Sequence, residues 1–271
     1  MKYYRFILPL FLSSFVLFTC TEEDVISPPV CLLTHYAENY SRIDKGSIID
    51  YTYVLTYDER GRVIDKTYYE RYTNYQQKAY HDTVIYEGNR VASIARKLFY
   101  DDAKPLILWE FEYTDQYEIV WLTNIPAAGL PPIRKEVVWR DDKGKIVRIE
   151  STYGREDYHP FSIASSYIDY TYDNGNLIQK DMHSFQIVDG DTVTTGRQRE
   201  EWTEHSTVKN PFKGLPFIDL RDQALSDYIP TQYFRNTESS RFPNRIDTVS
   251  WQRTYRMNEF GYPKKYLYDC N

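Results

Sequence analysis

Five histidines, His35, His81, His159, His183 and His205, are the first residues to test for metal or proton-transfer chemistry. They lie far apart, and none sits in an HExxH or cysteine-rich pattern, so the spacing predicts no metal site. Asp189-Gly190-Asp191 places two carboxylates around a glycine but lacks the other ligands of a calcium loop, and it reads as a turn. Gly-x-Ser-x-Gly, Ser-x-x-Lys, a Cys–His motif, a Walker A loop and a dinucleotide fingerprint are all missing, so no nucleophile and no cofactor is indicated. Adjacent acids recur at Asp101-Asp102, Asp141-Asp142 and Glu200-Glu201. A glycosidase needs two carboxyls facing each other across a cleft, whereas aspartates in turns have a local reason to be there. A hydrolase is therefore the weakest of the functional readings.

The aromatic residues are the remaining candidates. Trp109, Trp121, Trp139, Trp202 and Trp251 could stack on a sugar, or could simply pack one face of a sheet, as their alternation with polar neighbours also allows. A net charge of −6 argues against a nucleic-acid partner, which would call for a basic surface.

The first residues carry an address. Lys2 and Arg5 precede the apolar run Phe6 to Phe18, a signal-peptide pattern too short to span a bilayer readily. Leu17-Phe18-Thr19-Cys20 resembles a bacterial lipobox, which makes Cys20 the candidate lipidation site. The acidic run Thr21-Glu22-Glu23-Asp24 resembles a surface-export signal, and Ser27-Pro28-Pro29 extends the tether. These features predict a protein held on the outer membrane by an N-terminal lipid and facing outward. Cys31 and Cys270 then remain, either as a disulfide joining the two ends of the domain or as two free thiols.

Hairpins must position everything else. Tyr170-Thr171-Tyr172-Asp173-Asn174-Gly175-Asn176-Leu177 reads as strand, tight turn and returning strand, because Asn-Gly between alternating runs favours a two-residue hairpin loop. Looser copies turn at Asp58 to Gly61, Glu87 to Asn89, Thr114 to Gln116 and Asp141 to Gly144. Gly61, Gly88, Gly144 and Gly175 are 27, 56 and 31 residues apart, so hairpins repeat at roughly 30-residue intervals. A hairpin cannot bury its apolar face alone, and neighbours must join edge to edge. The rhythm breaks at Thr207, and Ile218 to Tyr228 has the spacing of a short amphipathic helix ended by Pro230. A last hairpin is expected from Val249 to Tyr268, turning at Asn258-Glu259-Phe260-Gly261.

The Tyr-x-Tyr-Asp-x-x-Gly hairpins are similar to YD-type repeats of bacterial surface proteins. With the lipoprotein start, Lys209-Asn210-Pro211-Phe212 and the closing Tyr255 to Pro263 hairpin, the chain resembles the Bacteroidetes lipoproteins of the DUF4595 type. That resemblance implies a porin-like β fold and supplies no functional residues. The expected architecture is all-β: an antiparallel meander of repeated hairpins, curved or partly closed like a barrel, with one short helical insertion near 207–245. A barrel embedded in the membrane is the structural alternative. The expected divisions are a signal peptide at 1–19, lipidated cysteine and tether at 20–44, and a single β-meander domain at 45–271. The expected role is non-enzymatic binding of a ligand or partner, with a glycan or an envelope protein as candidates; the alternative is a structural or assembly component of the envelope.

Overall fold

The computed structural model describes residues 31–39, 50–72, 76–99, 101–124, 133–153, 164–188, 191–239, 242–259 and 261–270. The signal peptide, Cys20 and His159 lie outside these residues. Among them, fifteen strands form a single antiparallel sheet. In chain order they are β1 (Cys31–Asn39), β2 (Asp50–Tyr57), β3 (Val63–Arg71), β4 (Gln76–Glu87), β5 (Arg90–Leu98), β6 (Asp101–Tyr113), β7 (Tyr117–Asn124) and β8 (Arg134–Arg140). Then follow β9 (Ile146–Tyr153), β10 (Ala164–Asp173), β11 (Asn176–Val188), β12 (Asp191–Lys209), β13 (Tyr228–Ser239), β14 (Phe242–Gln252) and β15 (Leu267–Cys270). Each strand from β1 to β14 pairs with its chain neighbours, and β15 returns to pair with β1. The expected meander is what forms.

The turns close as their residues dictate. Asn174 (φ 46°) and Gly175 (φ 87°) both take the left-handed conformation that a two-residue type I′ loop requires. In the longer turns an aspartate does the work: Asp141 Oδ1 accepts the amides of Lys143 (3.0 Å) and Lys145 (2.8 Å).

In four of the hairpins a tyrosine makes a staple to the preceding strand pair or strand. Tyr57, at the end of β2, donates its hydroxyl to the Leu33 carbonyl on β1 (2.7 Å). Tyr86 does the same to Val63 on β3 (2.9 Å), Tyr113 to Val91 on β5 (2.9 Å) and Tyr172 to Ile146 on β9 (2.8 Å). In the β8–β9 hairpin Arg140 occupies this place and reaches Glu118 on β7 instead (3.0 Å). The basic residue just after the preceding turn covers the stapling ring: Arg62 over Tyr86 (4.4 Å), Arg90 over Tyr113 (5.0 Å) and Lys145 over Tyr172 (4.8 Å). The Tyr-Asp-turn-Arg/Lys pattern thus encodes the joint between repeats as well as the turn.

The two faces differ in polarity. One buries Leu33, Leu55, Val84, Ile94, Val120, Val138 and Ile149. On it a row of tyrosines crosses four strands: Tyr36 stacks on Tyr53 (4.3 Å), Tyr53 meets Tyr68 edge-on (5.1 Å), and Tyr68 stacks on Tyr80 (4.2 Å). The opposite face carries charge. Arg148 pairs with Asp169 (2.8 Å), Arg199 with Asp181 (2.8 Å) and His81 with Asp65 (2.9 Å), all across adjacent strands. A lipid-facing band should be largely free of charge. Here the apolar core lies on the inner face and the outer face carries exposed ion pairs, the reverse of an embedded barrel.

Four expectations need correction. Cys31–Asn39, inside the stretch read as tether, is strand β1, held there because Leu33 and Tyr36 are buried in the core. The insertion is narrower than 207–245: β12 continues to Lys209 and β13 starts at Tyr228. Within it, helical structure is limited to a 3-10 turn (Ile218–Leu220) and one α-helical turn, α1 (Arg221–Ala224), because Ser226 and Tyr228 are drawn off to bond the sheet. The last hairpin forms its turn, with the Asn258 amide and side chain both bonding Tyr262, but not its strands. Residues 253–256 leave the ladder after Arg253 bonds Thr231, and β15 pairs with β1 because the chain crosses from one sheet edge to the other.

Candidate binding cleft at the seam

The insertion 210–227 is a plug inside the curl of the sheet. Phe212, Phe217 and Leu220 enter the apolar core. Its start is folded by Asn210, whose side-chain amide donates to the carbonyls of Gln223 and Ser226 while its oxygen accepts the Phe212 amide. Its end is latched to the Asn174-Gly175 hairpin. The Leu177 amide donates to Ser226 Oγ (3.0 Å), and the Tyr228 amide donates to Asn176 Oδ1 (2.9 Å).

Three charged residues of the plug reach three parts of the sheet. Asp219 accepts from Lys66 on β3 (2.7 Å) and Arg96 on β5 (3.4 Å). Arg221 pairs with Glu136 on β8 (2.9 Å). Asp222 accepts from Lys180 on β11 and from the Tyr170 hydroxyl on β10 (3.1 Å). β3 and β11 are eight strand intervals apart. In a flat sheet that would be roughly 38 Å at about 4.8 Å per interval. One helical turn can touch both only because the sheet curls around it.

The charges so buried are compensated. Lys66 is fully buried between Asp219 and Asp82 (3.1 Å), and Asp82 also takes Arg96 (2.7 Å). Burial disfavours the charged forms of Arg96 and Arg221, but their carboxylate partners outweigh it and raise both above the ordinary arginine range. Lys180 behaves the same way: burial lowers it, and Asp222 with Glu200 more than restores it.

Beside the plug, where the two ends of the sheet approach, lies a cleft of about 700 Å³. Tyr36 on β1 and Trp251 on β14 both line it, although they belong to opposite ends of the strand order. Its depth is aromatic. Phe212 packs edge-on to Tyr36 (5.1 Å) and Tyr266 (5.5 Å), while Trp202 and Trp251 meet through Tyr233 at 5.6 and 5.2 Å. Its rim is cationic. The exposed Arg253 guanidinium lies 4.5 Å from the Trp251 ring centre, and the exposed Lys265 ammonium lies over Tyr266 (4.6 Å) and Tyr255 (5.3 Å).

Of the five tryptophans singled out in the sequence, two come together here, Trp202 and Trp251. Trp109 is buried on the inner face under Arg96 (5.3 Å), away from the cleft. Trp121 and Trp139 sit on the outer face, Trp121 donating to Glu112 (3.0 Å) and Trp139 packing on Tyr117 (5.0 Å). The cleft residues that sequence reading missed are Tyr36, Phe212, Arg253, Tyr255, Lys265 and Tyr266. Most come from the plug and the crossing segment, which have no strand periodicity to read.

The side chains of Asp101-Asp102 lie outside what the structure describes, and the other two acid pairs do not form a site. Asp141 is spent on its turn, and Glu200 and Glu201 fall on opposite faces of β12. Glu200 is held by Lys180 (3.6 Å) and the Tyr233 hydroxyl (3.0 Å). Among the described residues no three His, Cys, Asp or Glu side chains gather in a way that could hold a metal. Cys31 is buried and disulfide-bonded, and Cys270 is its register partner across the β1–β15 ladder.

No protein-family model matches the chain, and no curated protein matches it. Among solved structures it is similar to a porin-like protein from Bacteroides vulgatus, at 12% identity and a TM-score of 0.46, covering 89% of this chain and 98% of that one. A porin-like protein from Bacteroides uniformis is comparable, at 12% identity and a TM-score of 0.48, covering 87% and 92%. Likenesses this loose carry no argument about function.

Proposed function

We propose that the protein is a non-enzymatic binding protein of the cell envelope, which takes its ligand in the aromatic cleft beside the plug. One observation carries this reading: rings from β1, β12, β14, the plug and the crossing segment converge on a single concavity. Its size suits a small ligand or the end of a glycan chain. The acids nearest it, Asp222 and Glu200, share one lysine and serve to seat the plug, which favours binding over hydrolysis. The lipobox-like start at Cys20 belongs to the same reading and gives the protein an outer-membrane address, surface-facing and of the DUF4595 lipoprotein type. The charged outer face of the sheet suits a domain standing in water on a tether.

A glycan array with the mature protein and a Trp251→Ala variant tests this. Binding by the first and at least tenfold weaker binding by the second, at unchanged thermal stability, supports it. Equal binding by both moves the ligand elsewhere.

A second reading, an assembly component, has its own support. β14 pairs on one side only and exposes Ile246 and Val249, so it could accept a partner strand. A pull-down from envelope extract, lost on Val249→Pro, would favour it.

A further inference from the structure

The cleft has a polarity that its aromatic lining alone does not explain. We propose that its ligand is an acidic saccharide, a sugar carrying a carboxylate or sulfate, stacked on the rings with its anionic group at the Arg253–Lys265 rim; this rests on the binding function proposed above. Sugars offer a flat apolar C–H face to an aromatic ring, and the rings of Trp251, Tyr255 and Tyr266 line the cleft and are partly exposed. Each is paired with a cation. A guanidinium lying over a ring uses its flat face there and keeps its N–H edge for an acceptor, and that edge matches a carboxylate or sulfate.

Counter-charge in the lining does not cancel this. Asp222 is the single acid that lines the cleft among the described residues, and it is already engaged by the Lys180 ammonium and the Tyr170 hydroxyl. Arg253 and Lys265 are the other described charged residues of the lining, and both are basic. This local sign is opposite to that of the whole chain, whose net charge is −6. The net negative charge of the whole chain would repel an acidic sugar, so any preference for one has to come from this rim.

The test is calorimetric titration with uronate and sialate oligosaccharides and with their carboxyl-reduced neutral counterparts, at low and moderate salt. At least one acidic sugar should bind roughly tenfold more tightly than its neutral form, as expected for two partly exposed cations. Arg253→Gln with Lys265→Gln should erase that ratio, bringing the acidic sugar's affinity down to that of its neutral form. Trp251→Ala should weaken both. If neutral sugars bind as well as acidic ones, or the double variant keeps the preference, the acidic-ligand proposal is overturned and the cleft still stands as a binding site. If no saccharide binds to protein with wild-type thermal stability, both fall.

Discussion

The stapling tyrosines show how much one hydroxyl can be asked to do. Each phenol is both a member of the inner packing and a donor to the previous repeat. A neutral hydrogen bond of this kind contributes about 1 kcal/mol, so Tyr57→Phe, Tyr86→Phe, Tyr113→Phe and Tyr172→Phe should each lower unfolding free energy by about that amount in urea melts. The phenols also set an alkaline limit. Burial, with Glu118 adding, pushes Tyr113 up to about 12, and burial likewise raises Tyr57, Tyr86 and Tyr172. A group that keeps its proton longer when folded stabilises the fold below its unfolded pKa and loses that contribution as pH rises toward the folded value. Stability should therefore fall between pH 10 and about 12 as the unfolded chain ionises first. The fall should be shallower in the fourfold Phe variant; equal slopes in chemical denaturation at pH 9 and 11 would remove these tyrosines from the account. The tyrosine count was plain in the sequence, and so was their alternation. Their second role was not, because it depends on which carbonyl lies one repeat away, and no local pattern states that.

At the scale of elements, the Asn174-Gly175 hairpin and the plug form one unit. A Cβ on Gly175 would come within 2.1 Å of Asp227 Oδ2, whereas one on Gly144 would meet nothing within 4 Å. Both glycines have positive φ, so alanine at either costs about 1 kcal/mol of backbone strain. Gly175→Ala should cost about 1 kcal/mol more, since Asp227 must swing away and release Lys213 (2.6 Å). Thermal melts of the two variants check this. The buried ion network is the other joint. Asp82→Asn leaves fully buried Lys66 short of a partner and should destabilise by about 3 kcal/mol, read as a lowered urea midpoint. The turn was legible because Asn-Gly has few alternatives. The plug was not, since Asp219, Arg221 and Asp222 look like the solvated face of a short helix until the sheet curls around them.

For the whole molecule, the sheet's order followed from repetition: successive hairpins with one apolar face pack side by side. The curl did not follow, because it is tied to the plug and to the segment that crosses from β14 to β15, where periodicity is absent. The first and last described strands of the chain, β1 and β15, pair at one edge of the open sheet, and the register sets Cys31 opposite Cys270, a spacing compatible with a disulfide. A bond between them would close nearly the whole domain into a loop and stabilise it by about 5.5 kcal/mol in the chain-entropy account. Peptide mapping without reduction should recover a Cys31–Cys270 cross-linked pair, and reduction should lower the melting temperature; separate peptides in the unreduced digest would exclude the pairing.

The three-point seating of the plug also constrains how such a protein can change over generations. A chain of stapled hairpins looks free to gain or lose a repeat, since each joint refers only to its neighbour. Adding a hairpin between β3 and β8, or between β8 and β11, would carry Lys66, Glu136 and Lys180 away from Asp219, Arg221 and Asp222 and leave charges stranded in an apolar interior. Duplication is therefore confined to strands outside that span, and relatives of this chain should keep its strand number fixed from β3 to β11 while their lengths vary toward the β12–β14 edge.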